Sequence, residues 1–410
     1  MNPQNNNAQS TPKTHTGLRP RNLALTAIAL LVWLLGSVGS VGADTGRTQS
    51  SAEKNLGQLL LPPGFAIELV TTQVPNARQM ALSGSGVLYV GTRKAGKVYA
   101  LTDWQKSSTA VRPKVRTIAT NLSLPSGVVW HNNSLYVGAL DKVLRWDNID
   151  DHLDLPGDPA IVADNLPNEK HHGWKYLSMG PDNALYVPVG APCNICLSDD
   201  PRFASILRMD PTSGKTSIYA AGVRNTVGMA WHPTTNELYF SDNGRDRLGD
   251  DVPAEEINVV RSAGAHYGYP HIHAGSIADP KFGNNHKASD YVAPLLKIQA
   301  HSAALGVDFY TATGTNAFPE RYKNALFIAE HGSWNRSEKV GYRVSVMFET
   351  DKGPQYAPFI TGWLKGQANW GRPNDVLMTP AGDLLISDDQ TGSIYRVSYT
   401  PYVTEAIDKL

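Results

Sequence analysis

Two adjacent histidines, His171 and His172, and the only two cysteines of the chain, Cys193 and Cys196, bracket the stretch NEKHHGWKYLSMGPDNALYVPVGAPCNIC, residues 168–196. An imidazole near its ordinary pKa is the natural general base at neutral pH. A CxxC pair is a disulfide, half a metal site or a redox couple. Between these ends, Trp174 to Val189 alternates apolar and polar residues around the turn Gly180-Pro181-Asp182-Asn183 and reads as an ordinary strand pair.

Similar residue types recur further along. Arg224 and Asn225 stand in AGVRNTVGMAW, His301 in QAHSAALGVDF, and Arg372 with Asn374 in WGRPNDVLM, each before an apolar strand. GAPCNIC, SDNGRDRLGDD (241–251), AEHGSWNRSEK (329–339) and SDDQTG (387–392) follow strands instead. The mixture of imidazoles, fixed cations, amides and glycine turns points to proton abstraction beside a cationic platform for an anionic ligand. Arg224 and Arg372 would grip carboxylates through paired hydrogen bonds. Any single histidine is more often a structural residue than a base, so position must decide. SDNGRDRLGDD lacks the EF-hand spacing and its closing glutamate, although backbone oxygens at Gly244 and Arg245 would suit a hard cation. Asp250, Asp251, Glu255 and Glu256 read as solvated surface. Phosphate-cradling GxGxxG and GxxxxGK[ST] motifs are absent, which leaves nucleotide and nicotinamide chemistry without support.

Internal repetition supplies the elements that must position these residues. An apolar strand, a turn rich in Gly, Pro, Asp or Asn, an LYV-type strand and a further strand recur, beginning with MALSGSGVLYVGTRKAGKVYALTD (80–103). Aligned on Tyr89, Tyr136, Tyr186, Tyr239, Phe327 and Leu385, the copies are spaced by 47, 50, 53, 88 and 58 residues. The spacing predicts an all-β fold, a six-bladed β-propeller with four strands to a blade. The 88-residue gap implies an insertion at about 261–300, which reads as a structureless loop rich in Gly, His and Asn. GFAIELVTT (64–72) precedes the first repeat and is expected to complete the last blade. In such a ring the loops after the LYV strands and before the first strands meet at one mouth of the channel. His172 and GAPCNIC would then converge there.

Composition agrees with a turn-rich β protein: 41% hydrophobic and 18% charged residues, with 36 Gly and 27 Pro. A chain of 410 residues can bury one large core or two smaller ones. Lys plus Arg and Asp plus Glu number 37 each, and no basic stripe is visible, so nucleic acid is not an expected partner. Residues 1–22 carry Lys13, Arg19 and Arg21, and Leu23 to Leu35 form an apolar run of 13. The small residues up to Ala43 complete a signal-peptide pattern over 1–43. The expected location is therefore periplasmic or secreted. A retained anchor facing the periplasm is the alternative, the only form that would bring the membrane in. A linker over 44–58, a propeller over 59–400 and a tail over 401–410 complete the expected organisation. In an oxidising compartment the lone CxxC reads as a loop-stapling disulfide.

KHHGWKYLSMGPDNALYVPVG, GVRNTVGMAWHPTTNELYFSDNGRD, EEINVVRSAGAHYGYP and AEHGSWNRSEKVGYRV resemble the glucose/sorbosone dehydrogenase family. Its members are six-bladed propellers that use pyrroloquinoline quinone (PQQ), and the resemblance is nearest to the L-sorbosone dehydrogenase-like branch. It covers roughly residues 59–400 and implies a dehydrogenase for a sugar or sugar aldehyde. His172, eight residues before GPD, matches the catalytic base. Arg224 matches the arginine beside the quinone oxygens, and Asn225 and Asn243 match cofactor contacts. Gly244 and Arg245 match the backbone oxygens that bind Ca²⁺. Lys339 and Arg372 match cations that hold PQQ carboxylates, whereas Asn374 stands where the soluble glucose dehydrogenases have a second arginine. Ala191 stands where those enzymes have an aspartate that orients the histidine. The resemblance also implies that the Cys193–Cys196 loop shapes the substrate rim. No CxxCH haem motif follows, since Cys196 precedes Leu197, so electrons would leave to an external quinone or cytochrome. Two rival readings remain at this level. A calcium-dependent sugar lactonase predicts acidic ligands converging in the channel, and a non-catalytic propeller binding glycan or protein predicts no reactive pair.

Overall fold

The structure is a computed structural model that describes residues 49–106, 112–314 and 317–400. The expected signal segment over 1–43 and the tail over 401–410 lie outside the described residues. Six antiparallel sheets of four main strands follow one another along the chain as the blades of a propeller. The ring closes as the repeat predicts. The strand Phe65–Thr71 pairs with Ser393–Tyr399, Phe65 facing Tyr399 and Leu69 facing Tyr395, so the N-terminal strand is the outermost strand of the sixth blade.

The six residues used to align the repeats all fall in the second strand of a blade: Leu88–Thr92, Ser134–Gly138, Leu185–Val189, Leu238–Asp242, Leu326–Glu330 and Leu384–Asp388. Every position of these strands is buried, because both faces of the blade lie against neighbouring blades. The apolar content is divided accordingly. Instead of the one or two cores expected, six hydrophobic clusters fill the spaces between adjacent blades. One of them joins Val70, Leu385 and Ile394 of the sixth blade to Leu88 and Val90 of the first.

The innermost strands diverge around the channel, so side chains from neighbouring blades satisfy their free edges. Asp375 Oδ2 accepts from Met80 N at 2.8 Å, and Asp308 Oδ2 accepts from Met378 N at 2.8 Å. Gln79 Oε1 accepts from both Val128 N (3.0 Å) and Leu177 N (2.9 Å). The third blade departs from expectation. Only Ser178–Met179 pairs with the second strand, and residues 174–177 do not belong to a strand. The Lys175 carbonyl instead approaches the second blade so closely that a Cβ on Gly127 would lie 1.8 Å from it.

Two expectations are corrected. Residues 51–58, expected as linker, form a short helix Ser51–Asn55 and a 3-10 turn. Ser50 and Glu53 make a capping box, and the buried Ala52 joins the cluster between the fifth and sixth blades. The insertion at 261–300 is not structureless. Ala265–His266 adds a fifth strand to the third blade, Ile272–His273 and Ile277–Ala278 form a hairpin, and Leu296–Ile298 is the outermost strand of the fourth blade. Its order comes from packed rings and one buried carboxylate. His271 stacks on His286 at 3.6 Å, and Asp279 joins His273 to Arg245.

Candidate functional site

One mouth of the channel holds a cavity of about 360 Å³. Of the residues singled out from the sequence, His172, Arg224, Asn225, Asn243, Gly244, His301 and Arg372 line it. These residues come from four of the six blades, Arg224, Asn225, Asn243 and Gly244 all from the fourth, so the radial arrangement gathers them as expected.

His172 has a left-handed backbone (φ 51°) and a side chain 8% exposed. Gly190 permits this approach, since a Cβ there would meet the His172 Cβ at 2.5 Å. Nδ1 lies 2.9 Å from the Ala191 carbonyl oxygen, which can only accept. The ring therefore carries its proton on Nδ1 and keeps the Nε2 lone pair. Burial, then the charges of Arg224 and His171, push its pKa well below the usual histidine value, so the imidazole is neutral. The ring is thus oriented by a backbone oxygen of Ala191, a residue whose own side chain offers no acceptor.

Arg224 is held from three sides. Nη1 donates to the Asn243 carbonyl at 3.0 Å, Nε donates to the Asn194 carbonyl at 2.9 Å, and Nη2 donates to Asn194 Oδ1 at 2.8 Å. The buried Asp242 accepts from the backbone N–H groups of Arg224 (2.9 Å) and Asn225 (2.6 Å). Burial drives the Asp242 carboxyl up, to about 6.

The same lining carries a cationic wall that the sequence reading missed. Arg78, Arg93 and Lys170 line the cavity together with Arg372. Arg78 Nη2 pairs with Asp389 Oδ2 at 2.6 Å, and Arg372 donates Nε to the His331 carbonyl at 3.0 Å. Arg93 stacks over Trp174 at 4.5 Å. Among the described residues, neither Arg78 Nε nor Arg93 Nε has a hydrogen-bond partner. Burial and the nearby Arg78 charge push the Arg93 pKa down. The wall therefore carries more buried positive charge than Asp389 balances, and a polyanion would satisfy it. His331, a further imidazole on the lining, has its Nε2 2.7 Å from Asp389 Oδ1, and burial pushes its pKa down to about 4.

Other expectations are corrected. Lys339 and Asn374 are not on the lining. The Lys339 ammonium is taken up by Asn369 Oδ1 at 2.8 Å. Asn374 is 2% exposed in the innermost strand Pro373–Met378. The Arg245 side chain pairs with Asp279 of the insertion. Glu255 and Glu256, expected as solvated surface, are buried in the strand Glu255–Val260. Glu255 lines the cavity, accepts from Gly244 N at 2.7 Å, and is pushed by burial to about 8. Asp251 is exposed as expected. Cys193 and Cys196 form a disulfide.

Known proteins match this arrangement. The glucose / sorbosone dehydrogenase family profile matches residues 137–333, which include His172, Arg224 and Asn243, and a TrAA12-like profile matches residues 276–400. An uncharacterized protein of Borreliella burgdorferi is 33% identical over 366 residues, covering 85% of this chain and 93% of that protein. The chain belongs to the glucose/sorbosone dehydrogenase family. By that membership it is, in the broad sense, a sugar dehydrogenase and an oxidoreductase. Solved structures share the fold. An iodide structure of a Trichoderma reesei carbohydrate-active enzyme of family AA12 has a TM-score of 0.70 at 20% identity, covering 83% of this chain and 98% of that one. The holo form of the pyranose dehydrogenase PQQ domain from Coprinopsis cinerea gives 0.69 at 17%, covering 83% and 97%. A PQQ-bound aldose sugar dehydrogenase from Streptomyces coelicolor gives 0.57 at 19%, covering 83% and 100%. At these identities the likeness is one of fold.

Proposed function

We propose that the chain is a PQQ-dependent dehydrogenase of aldoses or sugar aldehydes, of the sorbosone type, acting in the periplasm or outside the cell. One observation carries this reading: a neutral imidazole with a free Nε2 shares a cavity with Arg78, Arg93, Arg224 and Arg372. The unpartnered Nε atoms of Arg78 and Arg93 fit a ligand with several carboxylates, as PQQ is. Arg78, Arg93 and Arg372 would hold those carboxylates. The buried Glu255 beside Gly244, with the Gly244 and Arg245 carbonyls, would suit Ca²⁺. When bound, the quinone supplies a hydride acceptor and calcium polarises it.

His172 Nε2 takes the proton from a hydroxyl of the sugar or aldehyde hydrate as hydride leaves the carbon that bears this hydroxyl, which becomes a carbonyl. Ala191 O fixes the ring during this transfer and stabilises the imidazolium that forms. Arg224, its guanidinium anchored before the reaction, would face the cofactor and supply fixed positive charge beside it. An external quinone or cytochrome would be the electron acceptor. The lactonase reading fits less well, because the lining is dominated by guanidinium groups rather than converging carboxylates.

Reconstitution with PQQ and Ca²⁺, desalting and dye reduction with a panel of aldoses and keto-aldehydes test this reading. Retained cofactor absorbance with turnover on at least one sugar is expected. Neither retention nor turnover would overturn it.

A further inference from the structure

Asn194 lies inside the four-residue ring closed by the Cys193–Cys196 disulfide and makes polar contacts in two directions. Its carbonyl accepts from Arg224 Nε at 2.9 Å, and its Oδ1 accepts from Arg224 Nη2 at 2.8 Å. The same Oδ1 accepts from Asp246 N at 2.8 Å, while its Nδ2 donates to the Asp246 carbonyl at 3.1 Å. A single side chain thus ties the Arg224 guanidinium to the loop that carries Asn243, Gly244 and Asp246. The ring is held from behind by Tyr269 of the insertion, whose hydroxyl accepts from Cys196 N at 3.0 Å and lies 3.5 Å from Cys193 Sγ.

We propose that Asn194 is the positioning residue for Arg224, and that the Cys193–Cys196 disulfide and Tyr269 hold Asn194 in place for that purpose. The use made of Arg224 rests on the dehydrogenase reading; its placement by Asn194 does not. A free four-residue loop would have to lose backbone freedom each time it formed this double contact, whereas the closed ring has lost it beforehand. Two parallel hydrogen bonds from one guanidinium to one residue also fix its plane, which a point contact cannot do. Of the Arg224 nitrogens, only Nη1 has a carbonyl partner outside the ring, Asn243 O. Release of Asn194 would leave the guanidinium tethered by that contact and by the longer one from Nη2 to Asp246, at 3.3 Å.

Phenylglyoxal labelling of the full chain, read at Arg224 and Arg372 by peptide mass spectrometry, tests the placement without cofactor. In Asn194→Ala, Arg224 should label about tenfold faster while Arg372 keeps its rate, and Asn194→Asp, which retains acceptors for Nη2, should restore slow labelling. Wild-type protein treated with dithiothreitol, and Tyr269→Phe, should give intermediate rates at Arg224. These two samples carry the test if Asn194→Ala does not fold. In a second arm, PQQ affinity should fall about tenfold in Asn194→Ala, and no further in Asn194→Ala/Arg224→Ala than in Arg224→Ala alone. Unchanged Arg224 labelling in the variants, or additive losses in the double variant, would overturn the proposal. Faster Arg224 labelling in a protein that retains no PQQ would instead uphold the positioning and overturn the dehydrogenase reading.

Discussion

The Nδ1–H of His172 is given to the carbonyl oxygen of Ala191, 2.9 Å away, on the loop that runs on into the disulfide. A carbonyl cannot take up the proton or change its charge, so the tautomer is fixed at every pH where the ring is neutral. Nε2 remains the basic atom. His172→Gln should therefore cut kcat by a factor on the order of 10² or more while cofactor affinity changes little. His171→Gln should retain most of the turnover. Steady-state kinetics beside a PQQ titration separate the two, and equal loss in the His171 variant would reassign the base.

Burial and the charges of Arg224 and His171 favour the neutral ring. The base works only when unprotonated, so activity is lost as pH falls through its pKa, and that pKa lies well below the usual 6.5. The acid limb of kcat/KM should accordingly fall below pH 6.5, with no decline between about pH 7.5 and 6.5. Removing His171 takes away a repelling charge and should move the limb upward. A limb above pH 6.5 in the wild type would contradict the burial argument.

Arg93 and Lys339 give opposite expectations. The Arg93 guanidinium lines the cavity with its Nε unpartnered, whereas Lys339 is spent on Asn369. Arg93→Gln should weaken PQQ binding by about tenfold, the scale of one charge-assisted hydrogen bond. Lys339→Gln should leave it within about twofold. Equilibrium binding at fixed ionic strength decides, and the reverse order would restore the family's pattern of cations.

The contrast shows where sequence was legible. The repeat spacing gave blade number, ring closure and the loops that meet, because the buried second strands impose an apolar signature that composition cannot hide. His172, Arg224 and Arg372 followed from their positions before inner strands. Arg93, in GTRKAG, follows the second strand of the first blade and so stands at a position the repeat marks, whereas Arg78, in NARQM, lies inside the innermost strand Ala77–Leu82, where the repeat marks no site residue. Glu255 reads as solvated because it stands in an acid run, and only the burial of the whole strand Glu255–Val260 between blades takes it out of water. Asn194 carried no signal at all. Its partners lie 30 and 52 residues away, and nothing in CNIC marks it as a hydrogen-bonding hub.

Ring closure gives a stability test. Phe65 packs edge-on against Phe318 at 4.7 Å and Phe359 at 5.0 Å, and lies 4.9 Å from Tyr399, its cross-strand partner. Phe65→Ala should cost on the order of 3 kcal/mol in urea unfolding, the range for losing an aromatic from a packed cluster. A loss under about 1 kcal/mol would mean that the first strand does not clasp the ring.

Asp375 sets a pH dependence of the opposite sign to that of an ordinary salt-bridged carboxylate. It is 1% exposed, accepts from Met80 N and from the Tyr176 hydroxyl, and burial raises its pKa to about 8. The unfolded chain ionises this group near the usual 3.8, so the neutral folded form contributes stability that is whole below about pH 4 and is lost as pH rises through about 8. Asparagine mimics the neutral acid and can still accept from Met80 N. Asp375→Asn should therefore be close to wild type at about pH 4 and gain on it steadily up to about pH 8, so that the difference in urea midpoint grows with pH. If the two midpoints instead run parallel from pH 5 to 8, the carboxylate between the innermost strands of the sixth and first blades is already ionised at pH 5, and the channel wall there must be better hydrated than its burial indicates.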